Sequence, residues 1–248
     1  MRSSATARRY AITGASVPGA VGSHGVDDAL RAAFLAFVDE AAFPCVAAKA
    51  ALAHDAIHVH GFGPLGARSN DAPLLDRLDA FAGTLEAAEP DDGTLYSLAA
   101  LFDGPRDTDE RRFEALLWSQ LQRLHDLDAR RGGGWAGDVS RDPEDPRFSL
   151  SLAGHAYFVI GMHPGASRAA RRFAWPALVF NPHRQFERLR ADGRYCKMQA
   201  ATRGRDIALQ GSINPNLADF GEASEARQYS GREVESDWKC PLRVRGKQ

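Results

Sequence analysis

The chain is poor in cysteine and has no long apolar run. Only three cysteines occur among the 248 residues, they lie far apart, and no CxxC pair is present. Such an odd, scattered set argues against a disulfide framework and against a cysteine-built zinc site. We therefore expect a reducing compartment, the cytoplasm. No stretch approaches the roughly 18 consecutive apolar residues that a membrane span needs, which predicts a soluble protein.

An excess of charge of either sign is also missing. The 31 lysines and arginines nearly balance the 32 aspartates and glutamates, so the composition does not favour a nucleic acid as partner. Apolar residues make up 44% of the chain and charged residues 25%. These values are ordinary for a globular protein and exclude a disordered chain, a coiled coil and a collagen. The length fits one large domain or at most two small ones.

The N-terminal segment lacks acidic residues. Residues 1–26 contain three arginines, including the pair Arg8-Arg9, and no aspartate or glutamate. A twin-arginine export signal would continue with an unbroken apolar stretch, whereas residues 10–23 are interrupted by glycines and a proline. We predict a flexible lead-in over residues 1–24, a single domain over residues 25–242 and a basic tail over residues 243–248.

Apolar spacing predicts three main helices and several short strands. Apolar residues recur every three or four positions in segments 26–41, 71–88 and 108–130. Strand-like runs occupy residues 57–60, 94–102, 148–152, 157–161 and 177–180, and shorter helical patterns occupy residues 167–173 and 184–190. This order of elements predicts an α+β fold, a single compact domain in which helices flank a mixed or antiparallel sheet.

Several common enzyme signatures are absent or lack their context. The GxGxxG pattern of Gly61–Gly66 follows a predicted strand, but the next helical pattern begins only after Asn70. No strand ending in an acidic residue follows about 20 residues later, so a simple turn is favoured over a dinucleotide-binding site. The sequence has no HExxH, GxSxG or GxxxxGK motif. These absences argue against a common metalloprotease, an α/β-hydrolase and a P-loop enzyme.

Two histidines stand at comparable positions around a basic segment. His163 and His183 each end an apolar strand beside a proline, and the segment between them carries Arg168, Arg171 and Arg172. A strand-end imidazole near clustered guanidiniums suits an anionic cofactor that contains a metal, because imidazole binds iron and arginine binds carboxylates. Two structural histidines and a solvated basic helix explain the same pattern.

Seven segments of the sequence together resemble the YqcI/YcgG family. They are Phe43-Pro44-Cys45, Asp142-Pro143, residues 158–164 with Ser167-Arg168, residues 180–190, residues 205–215, residues 224–232, and Trp238-Lys239-Cys240-Pro241. The resemblance covers about residues 25–242. Members with known roles are haem-dependent oxygenases that N-hydroxylate guanidine groups, either on arginine or on a cyclic guanidine precursor in toxin biosynthesis.

The resemblance implies a function as well as a cofactor. It implies a haem monooxygenase of bacterial secondary metabolism that uses O₂ and hydroxylates arginine or an arginine-like small molecule. The implied partners are this guanidine compound and an external electron donor, and a homodimer is compatible with the sequence. A haem-binding module without turnover, acting as a sensor, carrier or store, is the alternative.

Once haem is implied, the sequence offers several iron ligands. His163 is the first candidate, because the small residue Gly161 before it would leave room for a flat macrocycle. His183 is the second, and His125, on the apolar face of the longest predicted helix, is the third. Cys45 is an alternative thiolate ligand, although a small buried cysteine is the simpler interpretation. Arg168, Arg171 and Arg172 would pair with the haem propionates.

A guanidinium substrate calls for carboxylates, since two parallel N–H···O bonds fix its plane. Asp206 and Glu225 lie in family-like segments and are the candidates, with Asp126 and Asp128 on the long helix as alternatives. Tyr229 would donate a hydrogen bond to the iron-bound oxygen. Each carboxylate is equally explained by a structural cap or ion pair.

Overall fold

The computed structural model describes residues 23–88, 93–217 and 221–245. The predicted lead-in therefore lies outside the described residues except for Ser23 and His24, which begin the first helix, and the last three residues of the basic tail lie outside as well. The helices are α1 (Ser23–Asp39), α2 (Val46–Ala53), α3 (Asp71–Ala87), α4 (Glu110–Arg130), α5 (His183–Ala191) and α6 (Arg194–Gln210). The strands are β1 (Ile57–Phe62), β2 (Ser97–Phe102), β3 (Leu150–Leu152), β4 (His155–Met162) and β5 (Ala177–Pro182).

The five strands form one mixed sheet in the order β1-β2-β5-β4-β3. Strands β1 and β2 are parallel and are connected through α3, while the other neighbours are antiparallel. Every residue of β2 and of β5 is buried, as expected for central strands that are covered on both faces. The predicted α+β class is confirmed, although the parallel β1-α3-β2 unit was not anticipated.

The edge position of β1 explains its alternating sequence. Ile57 and Val59 pack into the core, whereas His58 and His60 between them are only half-buried. The GxGxxG segment that follows is a turn, because α3 begins only at Asp71. The side-chain amide of Asn70 donates to the carbonyl oxygens of Gly63 and Pro64 at 3.3 and 2.8 Å, which closes this turn.

Helices cover both faces of the sheet. One core cluster joins α3 and α4 to the first face, and its large members include Phe81, Phe113, Leu117 and Tyr157. A second cluster joins α1 and α2 to the opposite face, where residues of α5 and α6 also pack. Both clusters rest on the same strands, so they form two sides of one domain. Within the described ranges, none of the helices has the length and apolar character needed to span a bilayer.

One prediction of local structure was wrong, and two helices were missed. Residues 167–173 form no α-helix, and only a short 3₁₀ turn, Ala169–Arg171, is present. Helix α2 was missed because its sequence, rich in alanine, shows helix propensity rather than an amphipathic pattern. Helix α6 was missed because it buries a single residue, Asp206, and so carries little apolar periodicity.

At Gly161, strand β4 lies very close to α4 and to the C-terminal segment that pack against it. A Cβ atom at this position would lie 2.7 Å from Cε1 of Phe113 and 2.8 Å from both Cδ1 of Leu117 and the carbonyl oxygen of Tyr229. The space that we expected a macrocycle to use is therefore filled by α4 and by the C-terminal segment. The expectation of free room at Gly161 is wrong.

This packing predicts that Gly161→Ala is destabilising. The added methyl group has no free volume, and overpacking of this kind costs about 1–3 kcal/mol. Urea denaturation would measure the loss in the free energy of unfolding.

Gly83→Ala is the matched control. Gly83 is exposed in the interior of α3, and a Cβ there meets nothing within 4 Å. This change should stabilise the protein by about 0.5–1 kcal/mol, since alanine favours the helix. Equal effects of the two substitutions would contradict the close packing at Gly161.

Candidate functional site

A cleft of about 250 Å³ lies on the sheet face that α1, α2, α5 and α6 cover. Its walls are mainly apolar and include Phe34, Phe43, Ile160, Met162 and Phe186. The volume lies just below the range of about 300–1,000 Å³ that is usual for small-molecule sites. An apolar cleft with a few polar groups is the arrangement expected of a ligand site.

Three residues that the sequence analysis singled out line this cleft: Cys45, His183 and Glu225. They come from the start of α2, the start of α5 and a 3₁₀ turn, Glu225–Gln228, near the end of the chain. On the floor, the hydroxyl of Ser97 donates to Oδ1 of Asn181 at 2.8 Å. The fold thus brings distant parts of the sequence to one site.

Glu225 is an acid held in an apolar setting. Its Oε1 accepts hydrogen bonds from Oγ of Ser149 at 2.7 Å and from the hydroxyl of Tyr229 at 2.5 Å. No hydrogen bond from the described residues reaches Oε2. Burial raises the pKa of Glu225 to about 8, against the opposing effect of those two hydrogen bonds. The carboxyl group is therefore largely protonated at neutral pH.

Tyr229 supports Glu225 from the opposite side of the sheet. Its ring is completely buried and stacks on Trp118, with centroids 5.6 Å apart. Its hydroxyl oxygen accepts a hydrogen bond from the backbone N–H of Leu150 at 3.1 Å while it donates to Glu225. Tyr229 does not line the cleft, and its hydroxyl group positions Glu225. The hydrogen bond to an iron-bound oxygen that the sequence predicted for Tyr229 would require a place in the cleft.

His183 offers a neutral imidazole to the cleft. It is 3% exposed, and its Nε2 lies 3.3 Å from Oε1 of Glu187. Burial lowers the pKa of His183, and Glu187 opposes this shift in part. Neutral imidazole is the form that binds metals. Cys45 is the weaker ligand, because burial raises the pKa of its thiol and its Sγ accepts a hydrogen bond from the backbone N–H of Ala48.

The other two histidine candidates lie across the sheet from the cleft. His163 is 1% exposed and stacks on Phe113, with centroids 4.3 Å apart, and neither ring nitrogen has a hydrogen-bond partner in the described part of the chain. Nε2 of His125 accepts a hydrogen bond from the backbone N–H of Arg245 at 2.8 Å. His163 as the iron ligand stays a prediction, and its ring does not line the cleft beside His183.

The alternative carboxylates also lie away from the cleft, on α4. Asp126 forms an ion pair with Arg245 at 3.5 Å. Asp128 is buried, and burial raises its pKa. The two alternatives are thus engaged on the opposite side of the sheet from Glu225.

The three arginines expected at the propionates bind protein groups instead. Arg168 forms a buried ion pair with Asp206, which removes Asp206 from the expected carboxylate pair with Glu225. Arg171 donates to the carbonyl oxygens of Gly161, Gln228 and Tyr229, and burial lowers its pKa to about 10. Arg172 donates to the carbonyl oxygens of Ala166 and Ser167.

Two arginines that the sequence analysis did not select do line the cleft. Arg190 lies at the end of α5, within a family-like segment that could have identified it, and Arg203 lies on the unanticipated helix α6. Arg190 pairs with Glu187, an exposed residue, and its side chain also lines the cleft. Together with His183 and the apolar walls, the two arginines are of the residue types that hold haem, which takes a histidine ligand on iron and pairs its carboxylates with arginine. The described residues include no cluster of three or more His, Cys, Asp or Glu side chains that would hold a bare metal ion.

Comparison with known proteins gives one match. A family model described as the YqcI/YcgG family matches residues 34–243, which is most of the chain. No curated protein and no solved structure matches.

The buried acid predicts a distinctive pH dependence of stability. The pKa of Glu225 is about 8 in the folded protein and about 4.3 in an unfolded chain. The folded state therefore binds the proton more tightly, and this contribution is fully present below pH 4 and lost as the pH rises through about 8. Each unit of pKa difference corresponds to about 1.4 kcal/mol.

Urea denaturation at about pH 5, 7 and 9 would measure this contribution. The wild-type protein should lose stability over that range by more than Glu225→Gln does, while Glu40→Gln, at an exposed site, should follow the wild type. If Glu225→Gln and the wild type lose stability in parallel, Glu225 is ionised in the folded protein.

Proposed function

The chain belongs to the YqcI/YcgG family, and from this membership and the cleft we propose that it is a haem-dependent monooxygenase. Its substrate would be a small molecule with a guanidine group, such as arginine, which it N-hydroxylates. One oxygen atom of O₂ enters an N–H bond of the guanidine group. The other leaves as water, with two electrons from an external donor and two protons.

The observation that carries the proposal is the presence of His183 and Glu225 in one apolar cleft. A module that only stores or senses haem needs the histidine and the apolar walls, but it has no need for a buried acid. Burying a carboxyl group is costly unless it is hydrogen-bonded, and the two hydrogen bonds of Glu225 reach only Oε1. The acid supports turnover on a cationic substrate over the alternative of a haem-binding module.

Haem, when bound, supplies the activation of O₂. Among the residues of the chain, His183 would hold the iron, and Arg190 and Arg203 would pair with the propionates. Phe34, Phe43 and neighbouring apolar side chains exclude water from the cleft, which strengthens polar interactions inside it and limits side reactions.

Glu225 would orient the guanidinium group. Ser149 and Tyr229 hold Oε1, which fixes the plane of the carboxyl group before a ligand arrives. Oε2 has no partner in the described structure and is the natural acceptor for a guanidinium N–H. Because only the ionised form makes a charge-assisted pair, binding of the cation would release the proton of Glu225 to solvent. The apparent affinity for a guanidinium should therefore rise with pH up to about 8.

The cofactor and its ligand are tested by absorption spectroscopy of protein reconstituted with haem. The wild type should show a Soret band, His183→Ala should lose it, and His163→Ala should keep it. Circular dichroism of both variants checks that they fold. Loss of the band in a folded His163→Ala, with retention in His183→Ala, would move the iron ligand to His163. Absence of haem binding by the wild type would refute the proposal.

Substrate binding is tested by titrating arginine and other guanidine compounds into the ferric protein and following the haem spectrum. Glu225→Gln should keep the haem spectrum and weaken binding by about 2–5 kcal/mol, because a buried charge partner is lost. Asp206→Asn is the comparison, since Asp206 pairs with Arg168 and its loss should reduce stability and leave the substrate affinity unchanged. If the wild type binds haem but responds to no guanidine compound, the non-catalytic haem module is the better explanation.

A further inference from the structure

Positive charge is concentrated in α5 and α6. Residues 183–210 contain seven arginines and lysines but only three acids, whereas the whole chain is balanced at 31 to 32. Of the seven, five are exposed: Arg184, Arg188, Arg194, Lys197 and Arg205. The basic character of this helix pair therefore reaches the surface of a protein that has almost no net charge.

The three acids of the segment neutralise only part of this charge, and Asp138, outside the segment, pairs with Arg184 at 3.3 Å. Asp206 is buried against Arg168, Glu187 pairs with Arg190, and Asp192 pairs with Arg194 at 2.6 Å. Lys197 and Arg205 form no ion pair with the described residues. Residues 194, 197 and 205 follow helical spacing along one face of α6, so their side chains form a basic stripe.

Exposed apolar side chains lie at the C-terminal end of α6. In the described part of the chain, the exposed large apolar residues are Ile207, at 44% exposure, Ile213, at 44%, and Leu217, at 40%. All three lie in the last turn of α6 or shortly after it. Exposed apolar residues bordered by charge are typical of protein–protein interaction sites. Leu217 also lines the cleft, so we call Ile207 and Ile213, with the five exposed cations, the α5–α6 surface.

The inner side of α6 faces the cleft. Tyr195, Met198 and Thr202 line the cleft, whereas Arg194, Lys197 and Arg205 are exposed to solvent. A helix with its side chains is about 10–12 Å across. A protein bound to the α5–α6 surface would therefore be separated from the cleft by about one helix.

We propose that the α5–α6 surface is the docking site of an acidic electron-transfer protein. The inference rests on the proposed function, in which each turnover takes two electrons from outside the chain and reduces the second oxygen atom of O₂ to water. Complementary charge speeds the encounter of two proteins and selects the correct partner. The small apolar patch gives a protein partner a contact that a nucleic acid backbone would not use.

Binding of a reduced or oxidised acidic plant-type [2Fe–2S] ferredoxin to the haem-free protein tests the proposal directly. Calorimetry or biolayer interferometry at about 20 mM salt should detect a complex, which about 200 mM salt weakens. The double variant Lys197→Glu/Arg205→Glu should bind at least ~10-fold more weakly than the wild type. Ile207→Ser, which changes no charge, should weaken binding as well.

Arg77→Glu/Arg112→Glu is the matched control. Both arginines are exposed on α3 and α4, across the sheet, and the substitution changes the net charge by the same amount. The control should bind like the wild type. Equal weakening by both double variants, no complex at low salt, or stronger binding of a short duplex RNA than of the ferredoxin would each overturn the proposal.

A second measurement separates this proposal from the proposed function. In haem-loaded protein, the rate of haem reduction by reduced ferredoxin should fall in Lys197→Glu/Arg205→Glu, while reduction by dithionite stays unchanged. If ferredoxin binds the α5–α6 surface but the protein takes up no haem, the docking site stands and the proposed function fails. If dithionite-driven hydroxylation proceeds while ferredoxin reduces the double variant at the wild-type rate, the proposed function stands and the docking site is refuted.

Discussion

The architecture depends on the burial of β2 and β5 on both faces. All residues of these two central strands are buried, so each face of the sheet needs its own layer of helices. Helices α3 and α4 pack tightly on one face, as the lack of space at Gly161 illustrates. The opposite layer is assembled from four helices and leaves a cleft, where the polar pair Ser97–Asn181 lies on the strands.

One hydrogen-bond network crosses between the two sides of the domain. Glu225 lines the cleft, but Tyr229, which holds it together with Ser149, packs in the cluster that α4 covers. The Tyr229 hydroxyl in turn accepts from the backbone N–H of Leu150, at the start of β3. The carboxyl group of Glu225, which is costly to bury, is thus held by two residues that do not line the cleft.

The sequence predicts the parts of the fold that have a strong apolar period. Three of the four long helices and the strands were predicted at nearly their observed positions, whereas α6, equal in length to α1 and α3 but with one buried residue, gave no such signal. For the site, it was easier to predict which types of residue are needed than which residues lie close together in the fold. Arg168 and Asp206 were assigned to cofactor and substrate, yet they bind each other across 38 positions of sequence, a contact that only the tertiary fold creates.

The order of the cleft's parts along the chain has a consequence for biosynthesis. The walls of the cleft begin with Phe34 in α1, whereas its acid, Glu225, follows all six helices and all five strands in the sequence. Domains fold progressively from the N-terminus during translation. The sheet and its helices therefore emerge from the ribosome before the cleft has its acid.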